Sequence, residues 1–260
     1  MSSEIMNIIK SKKLKSFLRN QLIQKVFFIH NRFFILYELK ELKKDKKWYL
    51  WKKLLNENDI GNPVKYFLYP KSSGNRIRQV YLIKKFVDSN NSINIRKINK
   101  IIELGGGYGC MADIFKKINK KNSYTIYDMF EVNFLQYYYL KMNNYNPRLN
   151  SINTTLNLIS SISNLNKYAK KNKDYLFIAN WSISEFPLNF RKKFIKTILK
   201  AKYSAISFQE NFEGINNFKF FNKILKKTKK KYFSKIQPLD HYNDALFNNN
   251  KHYILTIIKK

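Results

Sequence analysis

Several kinds of residue are scarce in this chain. A single cysteine, Cys110, among 260 residues leaves no disulfide partner and no thiol-rich metal site, which fits a reducing compartment. Seven glycines and five prolines exclude collagen-like and linker-dominated chains. No apolar run approaches the roughly 18 residues that a membrane-spanning helix needs. The first ten residues include Glu4 and Asn7 and lack the apolar core and small-residue cleavage site of a secretory signal. The expectation is a soluble cytoplasmic protein. Hydrophobic residues make up 44% and aromatics 16%, enough to build a core and to exclude wholesale disorder. The length suits one large domain, or one domain with a modest extension.

Acids are also scarce: 17 stand against 50 Lys+Arg, a formal charge of +33. Such a balance suits an acidic partner such as nucleic acid or an anionic membrane. Only 7 of the 50 are arginine, however, and asparagine (33) and isoleucine (31) are as inflated as lysine (43). That is the bias an AT-rich coding sequence leaves, whereas base and phosphate readout favours the planar fork of arginine. Nucleic acid is therefore not the expected partner.

The pattern of the chain changes near residue 95. Before it, Phe17, Leu18, Leu22, Val26, Phe27, Ile29 and Phe33 recur at helical spacing, as does the stretch Trp48–Leu55. Gly61-Asn62-Pro63 and Ser72-Ser73-Gly74-Asn75 are turn signals, and 76–87 reads as a helix. After about residue 98, short apolar runs at 101–104, 124–127, 149–153, 175–179, 205–208, 232–236 and 253–258 alternate with helical stretches at 111–118, 131–142, 162–170, 189–201 and 217–227. Strands separated by helices imply crossovers and a mainly parallel, doubly wound sheet. The last two runs are joined only by a loop, which allows one antiparallel strand at the end. Seven strands with that finish describe a Rossmann-like α/β class I methyltransferase sheet. The expected division is a helical N-terminal extension over 1–95 and a catalytic-type domain over 96–260.

The most informative segment is Glu103-Leu104-Gly105-Gly106-Gly107-Tyr108-Gly109-Cys110, a buried strand running into glycines and then a helix. Gly105, Gly107 and Gly109 fit GxGxG. A nicotinamide fingerprint wants its third glycine where Cys110 stands, and no P-loop lysine follows. Glu103 would repel a pyrophosphate and suits an ammonium. Asp128, at the end of the next strand, suits the two hydroxyls of a ribose. An ammonium site beside a diol site describes S-adenosylmethionine.

These segments, together with Tyr127-Asp128-Met129-Phe130-Glu131-Val132, 179–187, Ser207-Phe208-Gln209 and Gly214-Ile215-Asn216-Asn217, resemble the sugar O-methyltransferases of bacterial surface-polysaccharide clusters. Weaker matches are Gly61-Asn62-Pro63 and Arg78. The resemblance covers roughly residues 60–260 and implies a class I fold, S-adenosylmethionine as methyl donor and a sugar or glycan hydroxyl as acceptor. Gly105, Gly106, Gly107 and Gly109 would then pack against the donor. Glu103 would hold its ammonium, directly or through water, Asp128 its ribose, Met129 its adenine and Arg78 its carboxylate. Asn180 would hydrogen-bond donor or acceptor. Trp181 would stack on a sugar face or on the sulfonium side. Tyr108, Gln209, Asn216 and Asn217 would meet the acceptor. His241 ranks first and Glu185 second as general base. His30 reads as structural, and His252 as an exposed residue starting the last strand. Glu210 and Glu213 are too sparse for a divalent ion, so no metal is expected.

Two other readings stay open: an RNA methyltransferase using the lysines, and a methyltransferase fold kept as a non-catalytic binding module. The amphipathic helices before residue 55 would suit covering the active site, pairing two subunits, or peripheral contact with a membrane surface.

Overall fold

The computed structural model describes residues 2–27, 33–229, 231–239 and 250–259. The chain begins with helices: α1 (Ser2–Ile9), a 3₁₀ segment over Lys12–Arg19, α2 (Gln21–Phe27), α3 (Phe33–Lys44) and α4 (Trp48–Leu55). Ile29 and His30 lie outside the described residues. In α4, Trp51, Leu54 and Leu55 are buried on one face, the 3–4 spacing that sends an apolar stripe inward. A hairpin of β1 (Lys65–Tyr66) and β2 (Tyr69–Ser73) leads into α5 (Gly74–Asp88). Ser73 caps that helix, its hydroxyl accepting from the Arg76 backbone N–H at 3.2 Å. The Ser72–Asn75 segment read as a turn is therefore a strand end and a helix start.

The second half builds the sheet from β3 (Lys100–Leu104), β4 (Ser123–Tyr127), β5 (Arg148–Leu149), β6 (Leu156–Ile159), β7 (Leu176–Asn180) and β8 (Tyr203–Gln209). A small hairpin of β9 (Asn211–Phe212) and β10 (Ile215–Asn216) follows, then β11 (Tyr232–Pro238) and β12 (His252–Lys259). The interleaved helices are α6 (Cys110–Ile118), α7 (Phe130–Met142), α8 (Ile162–Lys171), α9 (Leu188–Lys200) and α10 (Asn217–Thr228). The strand order is β11-β12-β8-β7-β3-β4-β6-β5. Neighbours from β8 through β5 pair in parallel, and β12 is antiparallel to both β8 and β11. The antiparallel strand expected at the end of the chain is present, but it is inserted one place in from the edge. Pro238 stands on the edge strand β11, where a missing N–H is tolerated.

Alternation along the strands fills two cores. Ile101, Leu176, Ile178 and Ile254 face α5, α6, α7 and the N-terminal helices. Ile102, Phe177, Ala179 and Leu255 face α8, α9 and α10. Helix α5, on the N-terminal side of residue 95, shares the first core with β3. The architecture is a doubly wound, Rossmann-like α/β sheet with helices on both faces, as expected, with one correction. The strand expected over 149–153 is only the two-residue β5, and the full partner of β4 is β6. A buried polar residue hid it: Asn157 interrupts the apolar run and donates to Thr125 Oγ1 at 3.0 Å. Among the described residues no helix is long and apolar enough to cross a membrane.

Candidate active site

The strand order reverses between β3 and β7, and in doubly wound sheets the crevice outside such a switch point takes the ligand. The glycine loop lies there. Gly105 has φ +71° and donates to the Tyr127 carbonyl at 2.9 Å. A Cβ on it would stand 2.3 Å from the Cβ of Ser182, whose hydroxyl bonds the Leu104 carbonyl. Only glycine lets the segment after β7 close onto the end of β3. A Cβ on Gly106 would stand 2.7 Å from Ile126 and 3.0 Å from the Glu103 carboxylate, so the loop is draped over that acid. Gly109, at φ +98°, starts α6, and Gly107 offers its carbonyl to Gln136 Nε2 at 3.0 Å.

Glu103 is buried and accepts from the Tyr124 hydroxyl at 2.8 Å. Burial pushes its carboxyl up to about 8, with the Asp128 charge adding to the rise. Asp128 is half-buried at the end of β4 and accepts from the Met129 N–H at 2.9 Å, from Gln136 Nε2 at 2.9 Å and from the backbone N–H groups of Gly106 and Gly107. Desolvation nevertheless pushes it up to about 7. In a chain of charge +33, neither acid has an ion pair among the described residues. Beside Asp128, Gln136 Oε1 is buried without a hydrogen-bond partner. Unpaired acids and an unused acceptor suit a ligand that brings a cation and hydroxyl donors. Met129 is 40% exposed next to them.

At the end of β7, Asn180 accepts from Ser207 Oγ at 3.1 Å and donates to Gln79 Oε1 at 2.9 Å. Trp181 follows with φ +61° and donates from Nε1 to His252 Nδ1 at 2.9 Å. The Arg78 guanidinium lies over the Trp181 ring at 4.4 Å, over Phe34 at 4.9 Å and 3.8 Å from Glu38, all in buried surroundings. Gln209 accepts from Ser184 Oγ at 2.8 Å and bonds Glu185. Glu185 is exposed as a residue, yet desolvation raises its carboxyl, with the Gln209 bond working against the rise. Asn216 is exposed and caps α10, accepting from the Lys219 N–H at 2.7 Å.

The structure thus brings Glu103, the glycines, Asp128, Met129, Asn180, Trp181, Gln209 and Glu185 to the carboxyl end of the sheet. Two expectations need correction. Tyr108 is buried against Phe17 and Tyr139, its hydroxyl accepting from Asn75 at 3.0 Å, so it faces the N-terminal helices rather than an acceptor. Asn217 is fully buried between Arg191 and the Gln209 carbonyl, both ends of its amide occupied. His241 lies outside the described residues. His252, read as exposed, is half-buried and bonded to Trp181. Gln136, a buried polar residue on the inner face of the apolar helix α7, is a site residue that the motifs do not mark.

No family model and no curated protein matches the chain. Among solved structures it is similar to the methyltransferase domain of bacterial CtHen1-CN (15% identity, TM-score 0.48, 70% of this chain and 97% of that one). It is similar to the METTL16 MTase domain (11%, 0.46, 70% and 67%). It is also similar to CrArsM, an arsenic(III) S-adenosylmethionine methyltransferase from Chlamydomonas reinhardtii (15%, 0.40, 65% and 65%).

Proposed function

We propose that the chain is an S-adenosylmethionine-dependent methyltransferase acting on a hydroxyl of a sugar in a surface polysaccharide or its precursor. One observation carries the donor assignment: two acids without counter-cations among the described residues, Glu103 and Asp128, stand at the ends of adjacent parallel strands under a glycine loop. When bound, the donor supplies a methyl group on a positively charged sulfur, already a good leaving group. Asp128, oriented by Gln136 and Met129, takes the ribose hydroxyls. Glu103 offers negative charge from beneath the loop toward the ammonium. The segment after β7, locked against Gly105 through Ser182, would line the acceptor side of the site.

With the donor bound, the acceptor hydroxyl would have to give up its proton to a base among this chain's residues. Glu185 fits that task, since a carboxyl raised by desolvation is better matched to neutral pH. The sugar assignment is supported by the resemblance of residues 179–187, 207–209 and 214–217. The test is transfer of an isotopically labelled methyl group from the donor to parallel panels of sugar acceptors and RNA. Label in sugar is expected. Label in RNA alone would overturn the acceptor and keep the donor, and absence of donor binding by calorimetry would overturn both.

A further inference from the structure

The turn of the β1–β2 hairpin is made of residues that turns seldom use. Tyr66 pairs with Tyr69 across it, which leaves Phe67 and Leu68 as the two connecting residues. Such positions ordinarily take Gly, Asn, Asp or Pro, whose backbone or side chain suits the reversal. Phe67 is 61% exposed and Leu68 48%. Val64 and Tyr69, on the two arms, pack against the first core, whereas the two tip residues lie outside it. Phe67 meets the edge of the Tyr66 ring at 5.1 Å between centroids and is otherwise open to solvent. Folding thus leaves two adjacent large apolar side chains in water at the point of a hairpin.

Lysines flank this tip. Lys43, near the end of α3, holds its Nζ 5.7 Å from the centre of the Tyr69 ring. Lys40 lies one turn earlier on the same side of α3, and Lys71 follows on β2; all three are exposed. None of the three has an acidic partner among the described residues. The acids of the adjoining segments are engaged elsewhere: Asp59 with Lys65 at 3.1 Å, Glu41 with Lys44 at 3.5 Å and Asp45 with Lys84 at 3.2 Å, while Glu38 and Glu57 are buried. Strand addition by a peptide is a poor use of this hairpin, since β1 has two residues and Pro70 removes a donor from β2.

We propose that the β1–β2 hairpin is a membrane-docking element: Phe67 and Leu68 enter the interface of an anionic lipid surface, and Lys40, Lys43 and Lys71 meet its phosphates. Charge complementarity selects this occupant. A chain of charge +33 with an apolar point among lysines fits a surface that offers both negative headgroups and hydrocarbon. Lysine suits that surface as a point charge, with no need of the fork that base and phosphate readout favours. Tyr69, half-buried behind the tip, is the kind of side chain that sits at headgroup level, one end apolar and one wet. The hairpin runs directly into α5, which lays Arg78 over Trp181 and Gln79 against Asn180, so the docking element is continuous with a helix of the candidate site. The inference rests on the fold and the surface, independently of the methyltransferase reading.

The test is flotation of the full chain with two kinds of vesicle, phosphatidylcholine alone and phosphatidylcholine with phosphatidylglycerol in equal parts. Binding to the anionic vesicles is expected, weakening as salt rises. The Phe67→Ser/Leu68→Ser variant keeps every charge and should bind about 10- to 100-fold more weakly, the effect of withholding two apolar side chains from hydrocarbon. Lys40→Gln/Lys43→Gln keeps the apolar tip and should lose about 25-fold, near fivefold per lysine. A Phe67→Trp variant, which preserves the apolar tip, should bind as the wild type does, and brominated lipid should quench its added emission. Wild-type protein that binds no vesicle, a serine variant that binds as well as the wild type with its fold intact by circular dichroism, or an added emission that brominated lipid leaves unquenched would each overturn the proposal. A dimer in sedimentation that the serine variant alone converts to monomer, with no vesicle binding, would assign the tip to a second copy and overturn it as well. A chain that docks on vesicles but ignores S-adenosylmethionine would keep this proposal and lose the function proposed above.

Discussion

Asp113 on the one hand, and Glu103 and Asp128 on the other, are desolvated acids that this molecule treats in opposite ways. Asp113 in α6 receives Arg76 at 2.7 Å, Lys117 at 3.2 Å and the Tyr145 hydroxyl at 2.8 Å. Burial alone would raise its carboxyl, but Arg76 and Lys117 outweigh that and hold it below the ordinary value. Glu103 and Asp128, at the ends of β3 and β4, have no such cation among the described residues and are raised to about 8 and about 7. The first arrangement joins α5 to α6 and neutralises its acid with the chain's own cations. The second is incomplete in a chain with lysines to spare, and a cationic ligand would complete it. The same residue type thus serves architecture where it is paired and, on the function proposed above, recognition where it is left unpaired.

That contrast can be broken most forcefully at Arg76. Arg76→Met should strip Asp113 of its main partner and cost about 3–5 kcal/mol of stability, read from denaturant midpoints. Asp128→Ala should do the reverse. Its fold should hold, while calorimetry should show S-adenosylmethionine affinity lowered at least about 100-fold, the loss of two hydrogen bonds to a charged group. If Asp128→Ala unfolded instead, that acid would belong with Asp113.

The pH dependence sharpens the comparison. Between roughly pH 4 and 8 the folded protein keeps protons on Glu103 and Asp128 that the unfolded chain has released, so these two groups make stability fall as pH rises. Asp113, lowered from 3.8, contributes stability that is present above that value and lost as pH falls through its lower folded value. A bound cation favours the ionised acids, so donor affinity should rise from pH 6 to 8, by at most about tenfold per unit for each group, with protons released on binding in calorimetry at matched buffers. The smallest effect is expected at Gln136. Gln136→Leu should weaken the donor about fivefold by freeing one Asp128 oxygen, about one neutral hydrogen bond. An unchanged affinity would mean that the Met129 and glycine N–H groups suffice to aim the acid.

Much of this was legible along the chain. The glycine spacing, the acid before it and the acid closing the next strand are local features, and so is the alternation that sorts Ile101 from Ile102. The rest depended on contacts distant in sequence. Asn157 broke the apolar pattern of β6 because its amide is satisfied by Thr125, a partner 32 residues away. Tyr108, inside the glycine motif, looked ligand-facing until the N-terminal helices were seen to enclose it. His252 looked exposed because nothing near it in sequence announces Trp181, 71 residues earlier.

What the sequence determined by itself is the period and punctuation of each element and the residue types at the strand ends, because these are set by neighbours a few positions apart. Tertiary structure alone decided that β12 slides between β8 and β11, which acids among the described residues are left without a cation, and that His252 meets the Trp181 indole. Those follow from strand order and burial, and a carboxyl or an imidazole acquires its chemistry only from the atoms that the finished fold brings against it.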